Sequence, residues 1–354
     1  RDDFYRSTVL GRRYRSRRAI ADVIDDRLPP LELRRAVDKA IEEFGQRGLR
    51  EASERLTAAY RGLLPGKHRS FSAWTDVDRL AYVVARMPAT YFAALAVLRE
   101  LRIRCPQMNI ERMLDLGSGP ATSLWAAWSE IDHLTHATLI DPDRAMIVLA
   151  KRLIAGSTLT QRVETIWDTS IGHFTTKNSY DLVVGGYVLG EMEAGERQRI
   201  VADAWTAARG AVVFIEPGSP DGFRRIMATR DQLIGYGASI VAPCPHAGLC
   251  PMPADDWCHF AVRLNRTSLQ RRLKGGVLAY EDEKFAYIVA TRGAGGPSAA
   301  RVIRRPQLAP GRVTVQLCHP EGLREETVTR RNREAYRAFR KLQWGDSCPH
   351  TSRS

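Results

Sequence analysis

Three of the chain's six cysteines, Cys244, Cys250 and Cys258, fall within fifteen positions in PCPHAGLCPMPADDWCHF, residues 243–260. Thiols so placed can lie in a core, close disulfides or bind a metal. A core reading suits Cys105, at the end of an apolar helical stretch, and Cys348 in the tail, but not three thiols in a proline-rich loop. Residues 1–19 carry seven Arg, two Asp and no apolar run, so no secretory segment is visible and disulfides are not expected. Metal binding is the chemistry that fits, and thiolates can hold Zn²⁺ or an iron–sulfur cluster. The short Cys-x-x-Cys knuckle of zinc sites is absent, and Cys244-Pro245 and Cys250-Pro251 are the Cys-Pro pairs of iron–sulfur loops. A fourth thiol, Cys318 in QLCHPEG, follows after 59 intervening residues. His246, His259 and His319 stand within two residues of a cysteine, as alternative ligands or as donors to sulfur.

A second constellation is LDLGSGPATSLWAA, residues 114–127. Gly117 and Gly119 permit a tight turn and close backbone approach of a ligand, with Ser118 between them. Asp115 precedes the turn, Asp141 ends the next strand 22 residues after Gly119, and Asp168 ends the third strand. A carboxylate at the end of the second strand can accept from ribose hydroxyls. This set resembles the S-adenosylmethionine-dependent methyltransferases with a Rossmann-like sheet. The resemblance implies that the turn holds the methionine part, Asp141 the ribose, and Asp168 the adenine side. Ala121 stands where that pattern has a third glycine. After the fourth strand the chain reads GGYVLGEM, with neither the Asn/Asp-Pro-Pro-aromatic motif of N-methyltransferases nor a cysteine nucleophile. Tyr187 and Glu191 face the expected substrate side, and no catalytic residue is assigned.

The elements that must position these residues follow from periodicity. Residues 30–104 read as helices, with Leu33, Val37, Ile41 and Phe44 at helical spacing and an interruption at Pro88. From residue 111, short apolar runs (113–117, 137–141, 163–168, 181–189 and 211–218) alternate with helical segments. That alternation predicts a parallel sheet covered on both faces. Residues 277–292 read as one or two antiparallel edge strands, 301–331 as a small β element with turns at APG and HPEG, and 332–344 as a basic helix. The expected organisation is a basic arm (1–29), a helical domain (30–108), a Rossmann-like methyltransferase domain (109–240 with 275–292), an iron–sulfur and RNA-contacting region (241–274 with 300–346) and a tail (347–354).

The net charge of +13 and the sequence pI near 9.8 favour a polyanionic partner. Arg263, Arg266, Arg271, Arg272 and Lys274 follow the third cysteine with no acid in 261–275, and Arg330, Arg331, Arg333, Arg337, Arg340 and Lys341 crowd the last helix. Without an aromatic RNA-recognition motif, these point to phosphate and shape recognition of folded RNA. No apolar run reaches the length of a membrane span, and no amphipathic basic helix suggests a membrane surface.

The cysteine block, with RRLKGGVLAYEDEKFAYIVATR after it, resembles the ribosomal-small-subunit-of-mitochondria twenty-two family. Its members are methyltransferase-like proteins of small-ribosomal-subunit assembly, in mitochondria and bacteria. The resemblance continues through AYVVARMPATYFAALAVLREL, YDLVVGGYVLGEM, FIEPGSPDGF and the closing WGD, and covers residues 30–346. It implies that Cys244, Cys250, Cys258 and Cys318 hold a 4Fe–4S cluster as a structural staple, with zinc as the alternative. It further implies S-adenosylmethionine as cofactor and the small ribosomal subunit and its rRNA as partners of a monomeric, ribosome-associated factor. An active rRNA methyltransferase and a small-molecule methyltransferase with a zinc site are the competing readings. Asp2 and Asp3 speak against a transit peptide, so the bacterial cytoplasm is expected, with the mitochondrial matrix as the alternative.

Overall fold

Prolines and capping residues set the boundaries of the N-terminal helices in the computed structural model, which describes residues 27–60, 74–170, 179–293, 295–297 and 299–348. Most of the predicted arm, and residues 349–354 of the tail, lie outside the described residues. Helix α1 (Leu31–Phe44) starts after Pro30 and stops at Gly45, and α2 (Leu49–Tyr60) follows. Thr75 and Asp78 form a capping box that starts α3 (Asp76–Ala85). Pro88 sits in the first turn of α4 (Met87–Arg104), where its missing N–H costs nothing, and the two helices meet at a 50° bend. Leu33 and Ile41 of the predicted stripe are buried, Val37 is half-buried, and Phe44 is exposed beneath the Arg152 guanidinium. Among the described residues no single helix is long and apolar enough to cross a membrane.

The main sheet grows from alternating units: β1 (Arg112–Leu116), α5 (Thr122–Glu130), β2 (His136–Ile140), α6 (Arg144–Ile154), α7 (Thr158–Arg162), β3 (Glu164–Asp168), β4 (Tyr180–Gly186), α8 (Ala194–Ala207), β5 (Ala208–Pro217) and α9 (Pro220–Gly235). It is completed by β6 (Ser239–Ala242), β7 (Phe260–Asn265), α10 (Ser268–Lys274) and β8 (Tyr280–Thr291). The strand order is β3-β2-β1-β4-β5-β8-β6, with β7 also on β8. The first five strands are parallel in the Rossmann order, and β8 runs antiparallel to β5. Val183, Val184, Val212 and Val213 are fully buried, as strands covered on both faces require.

Residues 277–292 thus contribute one long strand rather than two. Its far edge carries β6 at one end and β7 at the other, and the cysteine loop leaves the sheet between them. The sequence reading missed β6 and β7. It also grouped residues 260–274 with the C-terminal region. They belong to the main body: β7 pairs with β8, and Gln270 of α10 donates to the Val84 carbonyl at 3.1 Å.

A second sheet holds β9 (Ala300–Val302), β10 (Gln307–Ala309), β11 (Arg312–His319), β12 (Gly322–Thr329) and β13 (Ser347–Cys348), in the order β10-β11-β9-β13 with β12 on β11. Its hairpins turn at the predicted APG and HPEG, where Gly311 and Gly322 take positive φ. Helix α11 (Arg333–Phe339) is shorter than the expected 332–344 and buries Phe339 against Val313, Val315 and Leu317. Cys348, expected in a tail, is a buried residue of β13 paired with Ala300.

Candidate functional site

The cysteine loop is anchored at both ends by the main sheet. Cys244 follows β6, Cys258 precedes β7, and Cys250 lies between them. Cys318 arrives from β11 of the second sheet. All four are free thiols and line one cavity between the two sheets, floored by residues of α9 and β8 such as Ile226 and Ile288. Burial pushes the Cys244 thiol up and the Cys258 thiol well above its ordinary value. Burial also pushes Cys318 up to about 12, with Cys244 and Cys250 adding to it. A metal centre here must therefore displace protons from neutral thiols.

Among the described residues no three His, Cys, Asp or Glu side chains close to the spacing a single metal ion needs. The four thiols line one recess from both sheets, a donor chemistry that suits zinc or an iron–sulfur cluster alike. His246 Nε2 lies 3.9 Å from the Cys318 sulfur. His259 stacks on Trp257 at 5.5 Å and meets the edge of Trp344 at 4.9 Å, so it shapes the loop. His319 is buried on β11.

The glycine turn forms as its sequence requires. Gly117, Gly119 and Ala121 all have positive φ, at 65°, 52° and 63°. A Cβ on Gly117 would meet Val188 Cγ2 at 2.6 Å, whereas one on Gly119 would enter open space. Asp115 is fully buried; both its carboxyl oxygens and the Ser118 hydroxyl lack a hydrogen-bond partner. Orphaned polar atoms in a glycine cradle fit a polar ligand. Burial, helped by the Asp141 charge and offset by the nearby Ser123 hydroxyl, pushes Asp115 up to about 8. Asp141 accepts from Gly119 N at 2.8 Å and from Asp143 N at 2.9 Å, and burial raises it to about 6. Asp143 in turn accepts from Arg79 of α3 at 2.7 Å, tying the helical domain over this edge. Asp168 stands exposed at the end of β3 and accepts from Thr169 N and Ser170 N. The structure thus brings Asp115, Gly117, Ser118, Gly119 and Asp141 into one cradle, with Asp168 at the next strand end.

On the expected substrate side, Tyr187 adopts φ 61°, a strained conformation for a bulky residue. Its hydroxyl donates to Glu283 Oε1 at 3.1 Å, and the same oxygen takes Arg86 Nη2 at 3.1 Å. Burial, then Glu283, holds the Tyr187 phenol far above its ordinary value. This hydroxyl is an engaged structural donor, not a base. Glu191 lies on the 3-10 turn Leu189–Glu191 beside it.

The two basic runs differ. Arg263 forms a bidentate pair with Asp282 (both 2.7 Å), its cross-strand partner, and stacks on Tyr280. Arg266 and Lys274 share Glu281, at 2.8 and 2.7 Å, and both are largely buried. These three of the five predicted cations are committed within the chain, leaving Arg271 and Arg272 exposed. Glu281 and Asp282 of β8 thus pair three cations of a run that looks acid-free in sequence. Around α11 the opposite holds: Arg330, Arg333, Arg337, Arg340 and Lys341 line one basic hollow with Tyr336, and none is paired with a carboxylate among the described residues. Arg331 is exposed beside it. Sequence reasoning missed two buried arginines, Arg230 and Arg301, which line the thiol cavity; nothing in a local pattern separates a buried arginine from a surface one.

The sheet order and glycine cradle define a methyltransferase-like α/β protein, to which a four-thiol cavity and a basic C-terminal sheet have been added. The family described as "Mitochondrial small ribosomal subunit Rsm22" matches residues 76–349. The chain belongs to that family. It is 26% identical over 299 residues to the human "Ribosome assembly protein METTL17, mitochondrial", covering 78% of this chain and 64% of that protein. It is 24% identical over 342 residues to "Rsm22-cox11 tandem protein 2, mitochondrial" of Schizosaccharomyces pombe, covering 80% of this chain and 45% of that protein. The chain therefore spans less than two thirds of either relative's length. An O-methyltransferase family protein from Burkholderia thailandensis overlays with a TM-score of 0.42 and 14% identity, over 68% of this chain and 69% of that one.

Proposed function

We propose that the chain is a small-ribosomal-subunit assembly factor that binds S-adenosylmethionine without depending on methyl transfer, and contacts rRNA through the α11 hollow. The observation that carries this reading is the membership of residues 76–349 in a small-subunit family, in a chain where five cations without a carboxylate partner among the described residues line one hollow around α11. The names of its relatives favour a mitochondrial setting over the bacterial cytoplasm. S-adenosylmethionine is supported by the three alternate positive-φ positions, Gly117, Gly119 and Ala121, and the orphaned Asp115 and Ser118 atoms. Binding without transfer is supported by Tyr187, whose hydroxyl is held by Glu283 and Arg86 rather than offered to an acceptor.

Cys244, Cys250, Cys258 and Cys318 would hold a 4Fe–4S cluster. Four thiols lining one cavity, two of them in Cys-Pro pairs, support this reading, with zinc as the alternative. Such a group would supply a rigid cross-link between the two sheets, because Cys318 and the loop come from different ones. The test is co-sedimentation of the metal-loaded chain with small ribosomal subunits, followed by incubation with labelled S-adenosylmethionine. Retention on the subunit without label in the RNA is the expected result. Labelled rRNA would restore the methyltransferase reading, and failure to sediment would remove the ribosomal one.

A further inference from the structure

Arg230 of α9 and Arg301 of β9 are 2% and 1% exposed, and both line the four-thiol cavity. A buried guanidinium is costly unless its charge and its donors are answered. Arg301 is answered: Nε donates to Pro243 O at 3.0 Å, Nη1 to Gly345 O at 2.8 Å and Nη2 to Glu100 Oε1 at 2.6 Å. Arg230 is not. Its Nη2 donates to the carbonyls of His246 and Gly248, at 3.0 and 2.6 Å, and Nη1 meets Asp231, whose side chain is 68% exposed. Its Nε–H is buried without a hydrogen-bond partner, and the guanidinium lies beside the Cys244 sulfur. A positive charge and a free donor thus stand at a cavity walled by thiols, with no buried carboxylate paired to them among the described residues.

We propose that Arg230 is the positioning residue and counter-charge for an anionic metal–tetrathiolate cluster, clamping the 246–248 turn through two carbonyls while its Nε–H and charge stabilise the sulfurs. The inference rests on the cluster reading above and deepens it. A four-iron cubane with four thiolates is negatively charged and becomes more so on reduction. A fixed cation beside it favours the reduced form, and donors to sulfur act in the same direction.

The test reconstitutes the full chain anaerobically with ferrous iron and sulfide. It measures iron and sulfide per chain, the rate of cluster loss to a chelator, and the reduction midpoint by titration read with electron paramagnetic resonance. Arg230→Gln is expected to lower the midpoint and speed cluster loss about 10–100-fold, the range for loss of an outer-shell partner. Arg230→Lys keeps the charge but not the two-carbonyl fork, so it should hold the midpoint near wild type while still losing the cluster faster. A wild-type midpoint in Arg230→Gln overturns the proposal. Should that variant fail to fold, a wild-type rate of cluster loss in Arg230→Lys overturns it instead, because the two-carbonyl clamp would then do nothing for the cluster. Wild-type chain that takes up neither iron nor sulfide defeats the cluster reading itself, a separate outcome.

Discussion

Replacing Asp115 by asparagine isolates the electrostatic strain of the glycine cradle. The carboxyl is fully buried and its protonation is shifted from the ordinary 3.8 up to about 8, chiefly by burial and then by Asp141. A carboxyl whose folded value lies above its unfolded value is bound more tightly to its proton in the fold. Its contribution is intact below about pH 4 and is lost progressively as pH rises to about 8. Each pH unit in that window costs about 1.4 kcal/mol, so at pH 7 the ionisable side chain costs up to about 4 kcal/mol relative to a neutral isostere. Asp115→Asn should therefore be more stable than wild type at pH 7 and above, and close to it near pH 4. The assay is urea unfolding of both chains at pH 5, 6, 7 and 8, comparing midpoints at equal slope. The stability gap should widen by about 3 kcal/mol between pH 5 and pH 7. Parallel stability profiles across that range would show that Asp115 is solvated or paired, and would refute the reasoning.

Gly119→Ala places a methyl group in open space at φ 52°, so it should cost the fold only about 1 kcal/mol while sharply weakening S-adenosylmethionine binding by calorimetry. Unchanged affinity would remove the cradle as the cofactor site. Cys318→Ser should abolish iron retention and lower the melting temperature by several degrees, because it cuts the link between the sheets; retained iron would exclude Cys318 as a ligand. The double variant Arg337→Glu/Arg340→Glu should reduce the slope of log RNA affinity against log salt by about 2, since each phosphate contact contributes about 0.7–0.9. Arg263→Ala, by contrast, should leave that slope unchanged, because Asp282 already holds the guanidinium.

The five parallel strands and the glycine turn were legible because their signals are local: apolar runs of strand length between helical segments, and a turn that needs positive φ at fixed positions. The gathering of the thiols was legible only through the resemblance, since 59 residues separate Cys258 from Cys318. The misread basic run shows the limit most clearly. Arg263 looks free in sequence because its partner Asp282 lies nineteen positions away, and only the antiparallel register of β7 on β8 sets them opposite each other. β6 and β7 were missed for a related reason: each is short and borrows its stability from β8. Arg230 and Arg301 were invisible because burial of an arginine is decided by the packing of distant elements, here the loop carbonyls and Glu100 of α4.

The order in which the thiol set is delivered has a consequence for synthesis. Three of the four sulfurs emerge together from the ribosome, but the wall they face does not exist until β11 has been made. Arg301 cannot find its third acceptor until Gly345 has followed. The cavity therefore needs both ends of this stretch of chain: every strand of the main sheet precedes residue 292, yet the pocket still lacks Cys318 and the Gly345 carbonyl at that point. Synthesis of the main sheet and closure of the thiol pocket are thus separate events, joined at the single spot where the first sheet's loop, the second sheet's thiol and the 345 turn meet.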